Sequence, residues 1–235
     1  PSRPTMTETA TDLRPVLIRS AEAMGLALSD REIDLLMGYL DLIRKWNKVY
    51  NLTAVREPGA MLTHHLLDSL AVVAPLRGQL ARRQPGGDAP VRLLDVGSGA
   101  GLPGVVLAIC CPEVTVTCVD TVAKKAAFIQ QVAVTLRLPN LRGLHARVES
   151  LEGPFDVISS RAFAALGDFV SWSRAALAPG GVWLAMKGKR PTEEIDALPG
   201  GVAVFHVEPL QVPGLDAERC IVWLRDSAAV ASALA

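Results

Sequence analysis

The sequence has little of what metal centres, disulfide scaffolds and membrane proteins require. Its four cysteines, Cys110, Cys111, Cys118 and Cys220, include no CxxC pair and lie in apolar surroundings. Such cysteines read as small core residues of a reduced compartment, which excludes a disulfide framework and argues against a zinc or other metal site. No stretch approaches the roughly 18 apolar residues of a membrane span, and no apolar signal core follows the basic residues near the N-terminus. The expectation is a soluble, cytoplasmic protein. Charge of either sign is not in excess either: 24 Lys and Arg face 24 Asp and Glu, which gives no global sign of a nucleic-acid partner. Pro1 to Thr5 precede Met6, and the composition does not decide whether they are native.

What is present is apolar mass. With 235 residues, half of them hydrophobic, the chain can bury one full-sized core with a small helical extension, and a second large domain does not fit. Charge is uneven along it: residues 121–190 hold ten Lys and Arg against four Asp and Glu, whereas residues 191–235 hold two against seven. Before Pro85 the pattern is helical. Ser29 and Glu32 form a capping box, after which Ile33, Leu36, Leu40, Ile43, Trp46 and Tyr50 recur on one helix face. A second helix is expected from Glu57, with Pro58 in its first turn and Met61, Leu66, Leu70 and Val73 along it, ending before Pro75. Gln84 to Pro90 is a linker by composition, so the division falls into a helical extension, residues 1–84, packed on a core domain, residues 85–235.

After the linker, short apolar runs alternate with helical stretches, the pattern of a parallel sheet covered on both faces. Strands are expected at Val91 to Val96, Val114 to Val119, Arg142 to Ala146, Phe155 to Ser159 and Val182 to Met186. Ala203 to Val207 and Cys220 to Leu224 follow with no room for a long helix between them, and read as an antiparallel edge pair. The fold class is therefore α/β, with a seven-stranded, mostly parallel sheet. An antiparallel edge pair on a parallel sheet is usual in Rossmann-like class I S-adenosylmethionine-dependent methyltransferases and rare in nicotinamide-binding domains.

The segment Arg92 to Ile109 is an apolar strand, a glycine-dense turn and an apolar helix in direct succession. Gly97, Gly99 and Gly101 let backbone approach a ligand closely, with Ser98 between them and free helix N–H groups beyond. Asp120, about nineteen residues past Gly101 at the end of the next strand, suits a ribose-binding acid. Gly99, Gly101 and Gly104 also satisfy GxGxxG, so a dinucleotide is the competing ligand. Asp95, two residues before the first glycine, favours S-adenosylmethionine: a carboxylate there can hold a cationic amino group and would serve a pyrophosphate poorly. The LAPGG turn at Leu177 to Gly181 points the same way.

Five motifs narrow the class. KWNKVYNLTAVRE at Lys45 to Glu57, HHLLDSL at His64 to Leu70, the LPG ending of the glycine loop at Leu102 to Gly104, SRAFAAL at Ser160 to Leu166 and MKGK at Met186 to Lys189 resemble the RsmG (GidB) family. The likeness runs from about Ser29 to Leu224. It implies methyl transfer from S-adenosylmethionine to N7 of one guanine in a hairpin loop of 16S ribosomal RNA, free or in the 30S subunit; a monomer is expected separately, since nothing in the sequence resembles a coiled coil or a long unpaired edge. Carried over residue by residue, it puts Gly97, Leu102 and Arg161 on the cofactor, Asp120 on the ribose, and Val148 and Glu149 at the adenine end. Arg147, Lys124, Lys187 and Arg219 fall at basic positions around cofactor and RNA. Two departures are His64, where the family has Arg, and Cys220 after Arg219, where His is common.

Guanine N7 attacks through an in-plane lone pair, so no general base is needed and the work is positioning. Arg147, Arg161, Lys187 and Arg219 are accordingly expected to bind phosphates, the guanine O6 edge or the cofactor carboxylate. Asp68 and Ser69 are expected to brace the extension against the glycine loop. Trp46, Asn47, Tyr50 and Asn51 read as part structure and part docking surface, and Phe163 as a stacking ring or a core residue. Arg44, Lys45, Lys48, Arg56, Lys124, Lys125, Lys187, Lys189 and Arg190 are candidates for a phosphate track. From the residues alone two other readings stand: a small-molecule methyltransferase, and a cofactor-binding module without catalysis.

Overall fold

The structure is a computed structural model that describes residues 12–82 and 90–227. Pro1 to Thr5 lie outside those residues, as does the expected linker apart from Pro90. Seven strands form one sheet: β1 (Val91–Val96), β2 (Val114–Asp120), β3 (Leu141–His145), β4 (Phe155–Arg161), β5 (Leu177–Lys187), β6 (Val202–Leu210) and β7 (Arg219–Asp226). Their order is β3-β2-β1-β4-β5-β7-β6. The first five are parallel, and β7 runs antiparallel to both β5 and β6. All seven expected strands are present, and β5 starts earlier than its sequence pattern suggested because it takes in the Pro179–Gly181 turn.

The strand sequences are nearly continuous apolar runs because both sheet faces are covered. Leu93 and Leu94 show the alternation: Leu93 joins a core with Val116, Val157 and Leu184, while Leu94 joins the opposite core with Val96, Ile158 and Trp183. The first core is shared with the N-terminal helices through Leu17, Leu36, Leu40, Leu66 and Leu70. Each such side chain, wholly out of water, contributes about 2 kcal/mol of apolar burial.

Helix α1 (Arg14–Ala23) leads to α2 (Asp30–Tyr50), whose capping box at Ser29 and Glu32 forms as expected. The buried stripe of α2 is Ile33, Leu36, Tyr39, Leu40, Ile43 and Asn47. Trp46 and Tyr50 do not complete it: Trp46 is half-buried against Phe128, and Tyr50 is exposed. Tyr39 and Asn47 take the face because each finds a hydrogen-bond partner there.

The second expected helix is three segments: α3 (Pro58–Met61), a π-helical stretch (Leu62–Leu67) and α4 (Asp68–Leu70). Val73 belongs to a further helix, α5 (Val73–Ala81), which contains Pro75 in its first turn. A proline's missing N–H costs nothing there, since first-turn N–H groups lack intrahelical acceptors. On the sheet lie α6 (Gly104–Cys110), α7 (Ala123–Thr135) and α8 (Leu166–Ser173), and α9 (Thr192–Asp196) follows β5. The connections from β1 and β4 leave in opposite directions along the sheet, which opens a crevice at their carboxyl ends.

Candidate active site

The crevice has two lobes. One, with a volume of about 500 Å³, is lined by the glycine loop from Gly97 to Ala100 and Leu102, by Leu52, Thr53, His64, His65 and Asp68 of the helical layer, and by Arg161, Met186, Lys187 and Arg219 at strand ends. The other, about 370 Å³, holds Asp120, Lys125, Arg147, Val148, Glu149, Phe163 and Trp172 against the apolar walls Val96 and Val119. Gly97 and Ala162 line both lobes. Ala162 has φ of 51°, a left-handed conformation that favours glycine and is strained for alanine.

The glycines of the loop do different things. A Cβ on Gly97 would overlap the Phe163 ring, and one on Gly101 would overlap the Val105 side chain. A Cβ on Gly99 would meet none of the described residues within 4 Å, although its φ is +59°. Asp120 closes the loop from β2: one carboxylate oxygen accepts from Gly99 N–H at 3.0 Å, the other from Val122 N–H at 2.9 Å.

Asp95 departs from its expected role. It is fully buried, Oδ1 accepting from the Ser159 hydroxyl at 2.8 Å and Oδ2 from Gly104 N–H at 2.9 Å. It lines neither lobe and pins the loop from behind, where burial pushes its carboxyl up to about 6 against the lowering by Ser159 and Gly104. A charged ligand group would need access that this packing does not give.

Of the four basic residues expected to position substrate and cofactor, Arg161, Lys187 and Arg219 line the larger lobe and Arg147 does not. Arg161 ends β4 and Arg219 begins β7, and both donate to Asp68, at 3.0 and 2.9 Å. Arg161 also donates to the His64 carbonyl at 2.8 Å. Lys187 lines the same lobe but donates to Glu194 at 2.8 Å and to the Ala164 carbonyl at 2.9 Å. Arg147 stands apart in the other lobe, with a side chain 79% exposed and 3.7 Å from Glu149. Lys124 is exposed beside that lobe on α7.

Asp68 braces the helical layer as expected, but against the two arginines and not against the glycine loop; the Ser69 hydroxyl has no hydrogen-bond partner among the described residues. Asn47 shapes the strip beside the lobe, accepting from Thr53 N–H at 2.9 Å and donating to the Val55 carbonyl at 3.2 Å. The Thr53 hydroxyl meets His65 Nε2 at 2.9 Å. Burial, then the charge of Arg161, lowers the His65 pKa to about 4, so this ring is neutral at neutral pH.

Phe163 is half-buried, packed edge-on to Trp172 with ring centroids 5.9 Å apart, so it is both a wall of the smaller lobe and a flank of the core. Leu52, Thr53, Met186 and Trp172 were not singled out from sequence. Trp172 is 39% exposed. An exposed tryptophan on a helix is a signal only once the strand ends beside it are known. Among the described residues no group of three or more His, Cys, Asp or Glu could hold a metal, and no helix is long and apolar enough to cross a membrane.

A parallel sheet closed by an antiparallel pair, with a glycine loop after β1 and an acid at the end of β2, defines a Rossmann-like S-adenosylmethionine-dependent methyltransferase. The smaller lobe fits that cofactor's adenosine: Val96, Val119 and Val148 give apolar walls, Asp120 gives an acceptor for ribose hydroxyls and Glu149 one for the adenine amino group. The model of the GidB family, described as rRNA small subunit methyltransferase G, matches residues 32–222, and the chain belongs to that family. A protein of Acidovorax ebreus named ribosomal RNA small subunit methyltransferase G is 69% identical over 217 residues, covering 92% of this chain and 96% of its own. The protein of the same name from Albidiferax ferrireducens is 70% identical over 209 residues, covering 87% and 93%. Among solved structures, TrmN from Thermus thermophilus superposes with a TM-score of 0.50 at 23% identity, over 66% of this chain and 48% of that one, a likeness of fold. The chain is an S-adenosylmethionine-dependent methyltransferase.

Proposed function

We propose that this enzyme methylates N7 of one guanine of 16S ribosomal RNA in the small subunit. The observation that carries the reading is the meeting of the two lobes at Gly97 and Ala162, which sets an adenosine-sized site beside a larger polar one. The names of the relatives supply the ribosomal RNA, and the family resemblance supplies the atom. In this reading Gly97, Ser98, Gly99, Gly101 and Leu102 border the cofactor, Asp120 accepts from its ribose, and Val148 and Glu149 meet its adenine.

Bound S-adenosylmethionine supplies an electrophilic sulfonium methyl. The chain's own task is to hold the purine in line with it, an effect that can lower a barrier by roughly 7 kcal/mol or more. N7 gains positive charge as it is methylated, so bare cations around it would oppose the reaction. The larger lobe meets that requirement: Asp68 faces Arg161 and Arg219, Glu194 faces Lys187, and His65 is uncharged. Arg161, Arg219 and Lys187 then orient phosphate, guanine O6 or the cofactor carboxylate without acting as acids or bases, and Arg147 serves the adenosine side.

The helical extension, residues 1–84, belongs to the acceptor side, since Leu52, Thr53, His64 and His65 line the larger lobe. The enzyme acts as a monomer in the cytoplasm on RNA or on the 30S subunit. Transfer of radiolabelled methyl to 16S RNA and to 30S subunits lacking the modification, followed by mapping of the base, tests this. Label at a single guanine N7 supports it; no transfer by enzyme that still binds S-adenosylhomocysteine overturns it.

A further inference from the structure

Among the described residues three side chains hold the glycine loop, and one belongs to the helical layer. Asp120 accepts from Gly99 N–H and Asp95 from Gly104 N–H, both acids coming from strands of the sheet. The third point has the opposite polarity: the Tyr39 hydroxyl of α2 donates to the Ala100 carbonyl at 2.6 Å, across 61 residues of sequence. Tyr39 is fully buried, with its ring stacked 6.5 Å from Phe128. Its hydroxyl stands so close to the turn that a Cβ on Gly101 would lie 3.3 Å from it. Ala100 is itself 5% exposed, so water cannot readily replace this donor. Burial, first among the causes, raises the phenol's pKa well above its ordinary value, and Tyr39 keeps its proton at any working pH.

We infer that Tyr39 is a positioning residue for the cofactor loop, through which the helical layer contributes to cofactor affinity. The inference rests on the assignment of Gly97 to Gly101 as the cofactor loop. A phenylalanine would fill the same apolar space, so the hydroxyl serves only the carbonyl it holds. Without it Ala100 keeps a buried, unsatisfied acceptor in the middle of the turn whose Ser98 carbonyl takes both Gly101 N–H and Leu102 N–H. The turn then has reason to open toward water, which displaces Gly99 and Ala100 from the lobe they line. Helix α2 also carries Asn47, which sets Leu52 and Thr53 at the same lobe, so one helix positions the cofactor loop and the acceptor wall.

Tyr39→Phe, which keeps the ring, tests the inference with S-adenosylhomocysteine titrated calorimetrically and S-adenosylmethionine kinetics on 30S subunits. The expected result is a rise of about tenfold in both Kd and KM, the effect of one lost hydrogen bond, with kcat within about twofold. Leu17→Ala is the control: it loosens the same core without touching the loop, and should lower Tm while leaving Kd unchanged. Equal Kd for wild type and Tyr39→Phe, with only Tm lowered, would overturn the inference. Failure of the wild type itself to bind S-adenosylhomocysteine would instead overturn the loop assignment.

Discussion

Asp68 and Arg161, 93 residues apart in the chain, meet at 3.0 Å, and the same carboxylate accepts from Arg219 at 2.9 Å. The Asp68 side chain is 3% exposed, so removing it strands two guanidiniums in a half-dry lobe. Asp68→Ala should cost about 3 kcal/mol of stability in urea unfolding. In a double-mutant cycle with Arg161→Ala the losses should fall short of additive by about 1–3 kcal/mol. Strict additivity would mean that the pair is a coincidence of packing.

The loop glycines separate two causes of sensitivity. Gly97→Ala combines a φ of +62° with overlap of the Phe163 ring, whereas Gly99→Ala has a φ of +59° and no such overlap. Gly99→Ala should cost only the left-handed strain, about 1 kcal/mol of stability in urea unfolding. Gly97→Ala should cost about 1–3 kcal/mol more, since Phe163 must leave the wall it shares with Trp172. Equal losses of stability would count against the steric role of Phe163.

The contrast marks what the sequence could and could not disclose. The strands were legible because parallel strands buried on both faces leave unbroken apolar runs, and the loop because glycine at 97, 99 and 101 has few other uses. Side-chain direction was not legible. Asp95 reads as a ligand by spacing, yet one-residue alternation along β1 turns it into the protein, onto Ser159 and Gly104. Arg147 and Arg161 carry the same expected role in the sequence, yet β3 and β4 end on different sides of β1, which puts them in different lobes. Tyr39 stands outside the apolar stripe expected of α2, and its partner, 61 residues on, is a tertiary fact.

Lys189 and Arg190 follow Lys187 at the end of β5 and are exposed, with Arg219 beside them on a shared groove. If they track a phosphate backbone, Lys189→Ala and Arg190→Ala should each lower the slope of log affinity against log salt by about 1, for any RNA sequence. Filter binding to 16S RNA at several salt concentrations measures it. An unchanged slope for both would place the phosphate track elsewhere, such as along Lys48 and Arg56.

His65 and Asp95 pull the pH dependence of stability in opposite directions over one window. His65 titrates at about 4 in the fold, against an ordinary 6.5, because it is buried and faces Arg161. Between those values the unfolded chain takes up a proton that the folded chain refuses, so stability present above pH 6.5 is lost as the pH falls toward 4. Asp95 is raised from 3.8 to about 6, chiefly by desolvation, so between those values the folded chain holds the extra proton and stability falls as pH rises. Each contribution is roughly 3 kcal/mol, and in the wild type they largely cancel. His65→Gln should therefore gain stability on acidification from pH 6.5 to 4, relative to its own value at neutral pH, and Asp95→Asn should lose it. Urea midpoints across that range decide the matter: if both variants keep the wild-type profile, neither group is perturbed, and the neutrality of His65 beside the acceptor lobe loses its support.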